Sequence, residues 1–170
     1  MDMDETKTTI ASKEELASSE NLAKANEIVR NRVYWSVGAG LVPIPIVDMA
    51  ALLAIQLEMV AKLAKLYDQP FRKDIAKSTV VALLGSIIPT LAAGPMASLL
   101  KAIPIIGYTT GAVSMCIVGG AGTYAVGKVF TKHFESGGTL FDFDPAKKKE
   151  EFAKSFEEGK TAVNEMKNNV

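Results

Sequence analysis

STVVALLGSIIPTLAAGPMASLLKAIPIIGYTTGAVSMCIVGGAGTYAVG, residues 78–127, contains one charged side chain, Lys101, in fifty positions. An α-helix rises about 1.5 Å per residue, so an apolar run of about 20 residues matches the ~30 Å hydrocarbon layer of a bilayer. Lys101 divides the stretch into two runs, and each is long enough to span. A buried helical hairpin within a soluble bundle also requires helices that are apolar all round, usually in shorter pieces. Both readings make the stretch helical; run length favours lipid, and the breaks at Pro89, Gly94 and Pro95 favour the bundle.

The whole-chain averages hide this segregation. Hydrophobic residues at 48% and charged residues at 22% are ordinary for a globular domain of 170 residues. A mean hydropathy of +0.17 reflects polar ends diluting an apolar middle. The 19 basic and 19 acidic side chains cancel, so no basic field points to nucleic acid. Cys116 is the single cysteine, inside an apolar run, where a small buried hydrophobe is its expected role. Residues 1–12 are polar with no apolar core of a secretory signal, which places the N-terminus in the cytoplasm.

Working outward, Met1 to Ala11 has little to bury and reads as a disordered tail. Ser12 with Glu15 three positions on has the form of a capping box and should start an amphipathic helix. Its apolar face is Leu16, Leu22, Ile28, Val29 and Val33, opposed by Lys24, Glu27 and Arg30. Tyr34 and Trp35 follow Arg30 and Arg32 in the order expected at a membrane interface. Pro43 and Pro45 forbid a continuous helix, so Leu41 to Val47 reads as a tight turn and Asp48 as the cap of the next helix, which runs to about Tyr67.

A third helix should begin near Phe71, kink at Pro89 and break at Gly94-Pro95. Lys101, Pro104 and Gly107 belong to a second turn, and a fourth helix extends from about Ile105 to His133. That helix carries Gly111, Gly119 and Gly122 among many small residues, which would weaken a solvated helix but allow neighbouring helices to approach closely. Gly137 and Gly138 should stop it. Asp144 and Pro145 open a charged helix to about Met166, with a thin stripe of Phe152, Phe156, Val163 and Met166 suited to docking on a partner. The organisation is a tail over 1–11, a helical domain over 12–134, and a linker with a charged C-terminal helix over 135–170.

Ile44-Pro45-Ile46 in the first turn matches Ile103-Pro104-Ile105 in the second, which suggests two hairpins of similar build with both turns at one end. Arg30, Arg32, Lys62, Lys65, Arg72, Lys73, Lys77, Lys128 and Lys132 then fall at the opposite end, the asymmetry of the positive-inside rule, with both termini cytoplasmic. Arg32 to Pro43 is only ~15 Å as helix, so the first hairpin either spans or dips and returns. Asp48 is either a plain cap or a partner for Lys101.

Gly122-Thr123-Tyr124-Ala125-Val126-Gly127-Lys128 imitates a phosphate-binding loop, but Val129 occupies the place of the magnesium-binding hydroxyl and the setting is helical. His133 has no cysteine or histidine partner and reads as a solvated helix-end residue. No nucleophile and base share a recognisable spacing, so neither an active site nor a cofactor is expected.

LVPIPIVDMAALLAIQLEMVAKLAKLY and LLKAIPIIGYTTGAVSMCIVGGAGTYAVGKVF resemble the YcjF-like family of uncharacterised bacterial helical proteins, over roughly Val33 to Phe134. The resemblance implies membrane association and a functional link to small GTPases, and it supplies no catalytic residue. These 170 residues hold no GTPase domain, so a separate GTPase is the implied partner. The expectation is an all-α chain with two apolar helical hairpins and proline turns, flanked by amphipathic N- and C-terminal helices. Its function would be non-enzymatic anchoring or recruitment at the cytoplasmic membrane. The alternative is a soluble helical module that buries its hairpins by homo-oligomerisation or lipid binding.

Overall fold

The computed structural model describes residues 3–39, 45–93 and 108–168. The elements are α1 (Met3–Ala39), α2 (Pro45–Leu66), α3 (Lys73–Ala93), α4 (Tyr108–Glu135) and α5 (Lys149–Asn168), with no strand among the described residues. The all-α expectation holds. Several boundaries differ from it for local reasons. The helix expected from Ser12 begins at Met3, so residues 3–11 are helix rather than tail. Asp4 and Glu5 stand in that first turn, where acidic side chains suit the helix dipole. The second helix begins at Pro45, so Asp48 lies within it instead of capping it. Proline lacks the amide hydrogen that a first helical turn cannot satisfy, and its fixed φ is already helical.

Two helix ends close by the same device. After α4, Gly137 adopts φ +82°, Gly138 N–H donates to the His133 carbonyl at 3.0 Å, and Gly137 N–H donates to the Phe134 carbonyl at 2.9 Å. After α2, Asp68 takes φ +53°, with Gln69 N–H on the Ala64 carbonyl at 2.8 Å and Asp68 N–H on the Lys65 carbonyl at 3.3 Å. Both are left-handed C-terminal caps that satisfy otherwise orphaned carbonyls. Asp144 Oδ1 accepts the Ala146 amide at 3.0 Å, but α5 begins only at Lys149, so Asp144 and Pro145 form a turn ahead of the helix instead of its cap and first position.

α4 is the axis of the molecule, and its small residues admit the other helices. A Cβ on Gly119 would stand 3.2 Å from Leu52 of α2, one on Gly122 3.2 Å from Leu84 of α3, and one on Gly127 2.5 Å from Val29 of α1. At Gly120 the neighbours are Val163 of α5 at 2.8 Å and Val37 of α1 at 3.0 Å. Gly119 and Gly122 therefore serve as packing residues. Gly111 lies outside the side chains described. Below this level the core is aromatic: Phe130, Phe134, Phe152 and Phe156 are buried, with Met59, Leu63 and Leu83.

Two apolar stripes go where the sequence did not indicate. α1 buries Ala25, Val29, Val33 and Ser36, leaving Leu16 at 68% and Leu22 at 36% exposure. The α5 stripe of Phe152, Phe156 and Val163, expected to await a partner, is buried in the chain's own core. Gly159 on the same face lets α5 lie directly on the α4 backbone, since a Cβ there would meet the Ala121 carbonyl oxygen at 2.9 Å and Cα at 3.0 Å. Gly159→Ala is expected to destabilise by about 1–3 kcal/mol, because a helix axis must shift. Gly85→Ala, with nothing within 4 Å of the new methyl, should stabilise by up to about 1 kcal/mol. Thermal unfolding of the two variants should move in opposite directions.

No helix among the described residues is long and apolar enough to cross a membrane. The two runs expected to span, on either side of Lys101, include residues 94–107, which lie outside the described residues. From Ser78 to Ala93, α3 extends about 24 Å. In α4 the apolar residues Ala121, Ala125, Val126, Val129, Phe130 and Phe134 face protein. Pro43, Lys101, Pro104 and Gly107 lie outside the described residues, and with them the second proline turn and the proposed Asp48–Lys101 pair.

Candidate functional site

The contacts around α4 set the levels of the bundle. Val37, Leu52, Leu84 and Val163 all meet it between Gly119 and Gly122, whereas Val29 meets it at Gly127. Tyr67 sits near its foot: burial first, and the Glu135 carboxylate second, raise the Tyr67 hydroxyl above the ordinary tyrosine value. Beyond the Gly119–Gly122 level, α1, α2, α3 and α4 carry one charged residue, Asp48. α3 continues past Leu84 for about 14 Å and α4 from Gly119 back to Tyr108 for about 17 Å. α5 ends about one turn beyond the same level, with Glu165 exposed. Among the described residues the bundle thus has a charge-rich end and a charge-poor end, with an exposed face on α3 of Val81, Ala82, Gly85 and Pro89.

A buried polar node marks the boundary between them. Ser36 Oγ and Thr123 Oγ1 are 2.8 Å apart, Gln56 Nε2 donates to Thr123 Oγ1 at 3.2 Å, and Thr123 Oγ1 donates to the Gly119 carbonyl at 3.0 Å. All three side chains are at most 2% exposed. Gln56 Oε1 has no partner in the structure, so the node ties α1, α2 and α4 together at some cost. Sequence reasoning missed it. The available signal was a hydroxyl or amide at an otherwise apolar helical position on each of three helices.

The charged end is held by matched pairs. Arg32 meets Glu58 at 2.5 Å, and Lys62 approaches the same carboxylate at 3.5 Å. Glu151 receives Lys148 at 3.0 Å and Lys132 at 3.1 Å. Burial raises the Glu151 carboxyl, but the hydrogen bonds and charges of the two lysines outweigh it and hold it below the ordinary glutamate value. Between α2 and the start of α3 lies an open groove of about 490 Å³, floored by Leu53, Ala54, Leu57 and Ala61 and bordered by Phe71, Lys73 and Lys77.

His133 is not solvated. It is 9% exposed, its Nε2 lies 2.8 Å from the Thr139 carbonyl, and its ring meets Phe143 edge-on at 4.8 Å between centroids. Gly138 packs against the ring where no side chain would fit. Thr139 in turn bonds Asp142 through its amide at 2.6 Å, and these bonds from Thr139 hold the Asp142 carboxyl below its usual range. The residue is the buried hinge pin of the loop between α4 and α5. The phosphate-loop imitation lies wholly within α4, with Gly122 against Leu84 and Gly127 against Val29, leaving no cradle for a phosphate. Among the described residues no group of histidine, cysteine and acidic side chains is arranged to hold a metal.

Comparison with known proteins adds a family and a relative. The family described as a domain of unknown function, DUF697, matches residues 3–157. Magnetosome membrane protein 22 of Magnetospirillum gryphiswaldense is 37% identical over 144 residues, covering 84% of this chain and 74% of that protein. No solved structure matches the chain.

Proposed function

The chain belongs to the DUF697 family, the one associated with YcjF-like proteins, and from that premise we propose that it is a non-catalytic membrane-associated helical module whose charge-poor end enters lipid. The observation that carries this reading is the charge-poor end itself. Beyond the Gly119–Gly122 level, α2, α3 and α4 run on for up to about 17 Å with Asp48 as the one charged residue of those helices. Tyr34 and Trp35, 50% and 63% exposed next to the boundary, suit the headgroup region. The relative's printed name, a magnetosome membrane protein, points the same way.

The charged end, where α1 begins, would then face the cytoplasm, while α5 runs back to end about one turn past the boundary. Recruitment of a partner, a GTPase on the family resemblance, falls to α1 rather than to α5. Residues 13–20 of α1 are all exposed, including Leu16, whereas the apolar stripe of α5 is already buried. Carbonate washing of membranes tests the embedded end: the full chain should stay in the pellet, and complete release into the supernatant would end the reading. Deleting residues 3–20 should detach a co-purifying GTPase without changing that distribution.

A further inference from the structure

We propose that the groove between α2 and α3 holds one anionic membrane phospholipid, with an acyl chain along α2 and the phosphate at Lys73 and Lys77. The proposal rests on the membrane reading above and adds the ligand of a particular site. The groove volume of about 490 Å³ lies within the range of small-molecule sites. Its floor follows α2 from Ala61 toward Ala50, about 16 Å of apolar surface. The two lysines border only the charged end of this track, and the Ala50 end belongs to the charge-poor part of the bundle. A lipid has the same polarity in the same direction: headgroup toward the charged end, tail toward the boundary.

The electrostatics select an anion. Among the described residues, Lys73 and Lys77 make no ion pair, whereas Arg72 beside them is taken by Asp74 at 3.1 Å. The one carboxylate on the groove, Glu58, is matched by Arg32 and Lys62, so it does not oppose a phosphate with an unpaired charge. A zwitterionic headgroup would bring a cation to the two lysines and lose the advantage.

The test uses the full chain in detergent micelles, titrated with phosphatidylglycerol or phosphatidylcholine and read by native mass spectrometry. One phosphatidylglycerol should be retained in preference to phosphatidylcholine. Lys73→Gln with Lys77→Gln should weaken its retention about thirtyfold. Ala54→Trp, at an exposed position on the groove floor, should displace the acyl chain and abolish retention with both lysines intact. Equal retention of the two lipids, or retention unaffected by either variant, overturns the proposal and leaves the groove to a partner's helix. A chain that carbonate releases but that still selects phosphatidylglycerol sinks the embedded end and keeps the groove. A carbonate-resistant chain that holds both lipids alike sinks the groove alone.

Discussion

Deleting residues 144–170 is expected to abolish accumulation of the protein. α5 buries Phe152, Phe156 and Val163 to 1% exposure or less, each worth about 1.5–3 kcal/mol relative to exposure. Together they contribute on the order of 5–9 kcal/mol, comparable with the whole stability of a typical domain at about 5–15 kcal/mol. The deletion also strips the α4 backbone at Ala121, which Gly159 now covers, and removes the Glu151 carboxylate from Lys132. Immunoblots of cells expressing the two forms at equal transcript level should show the truncated chain degraded. Recovery at the full-length level with an unchanged melting temperature would mean that α5 is an accessory helix and the packing described above is wrong.

Phe130→Ala should produce the largest loss of any single core truncation, about 3–5 kcal/mol. Phe130 is fully buried, stacks on Phe143 at 4.5 Å and tilts against Phe134 at 5.6 Å, so it joins α4 to the loop that leads into α5. Its removal leaves a cavity between elements that cannot collapse independently, because Gly138 is wedged on the His133 ring next to Phe143. At about 2–4 °C per kcal/mol for a chain of this size, the melting temperature should fall by roughly 6–20 °C. Phe130→Leu keeps most of the volume and should cost under about 1.5 kcal/mol, so the ratio of the two shifts separates cavity formation from loss of an aromatic stack.

The helices themselves were legible because their signals are local. Leucines at helical spacing specify α2, and glycines at 137 and 138 stop α4, whereas Asp144 caps only the turn that precedes α5. The start of α1 departs from its local signal for the same reason in reverse. Ser12 and Glu15 form a valid local start signal, but a helix needs no cap where the preceding residues also favour it. A proline such as Pro45 is compatible with both a turn and a first helical position, and only the chain direction beyond it distinguishes them.

The site was far less legible. Ser36, Gln56 and Thr123 come together from three helices, and the groove needs the α2–α3 crossing before Lys73 and Lys77 stand at the end of an apolar track. His133 is a polar residue near a helix end, which reads as solvated until the following loop folds back over it.

From sequence alone, the all-α class, the segregation of charge, the glycine-rich close-packing helix and the family resemblance were determined, since each depends on residue type and spacing along one chain. Only the tertiary structure decided what the apolar surfaces touch. Burial rewards contact with protein and with lipid tails alike, so the composition of α4 and of the α5 stripe is the same for both. The difference lies in which backbone comes within reach: Gly120, Gly127 and Gly159 admit Val163, Val29 and Ala121, and that close approach consumes the faces that the sequence left open.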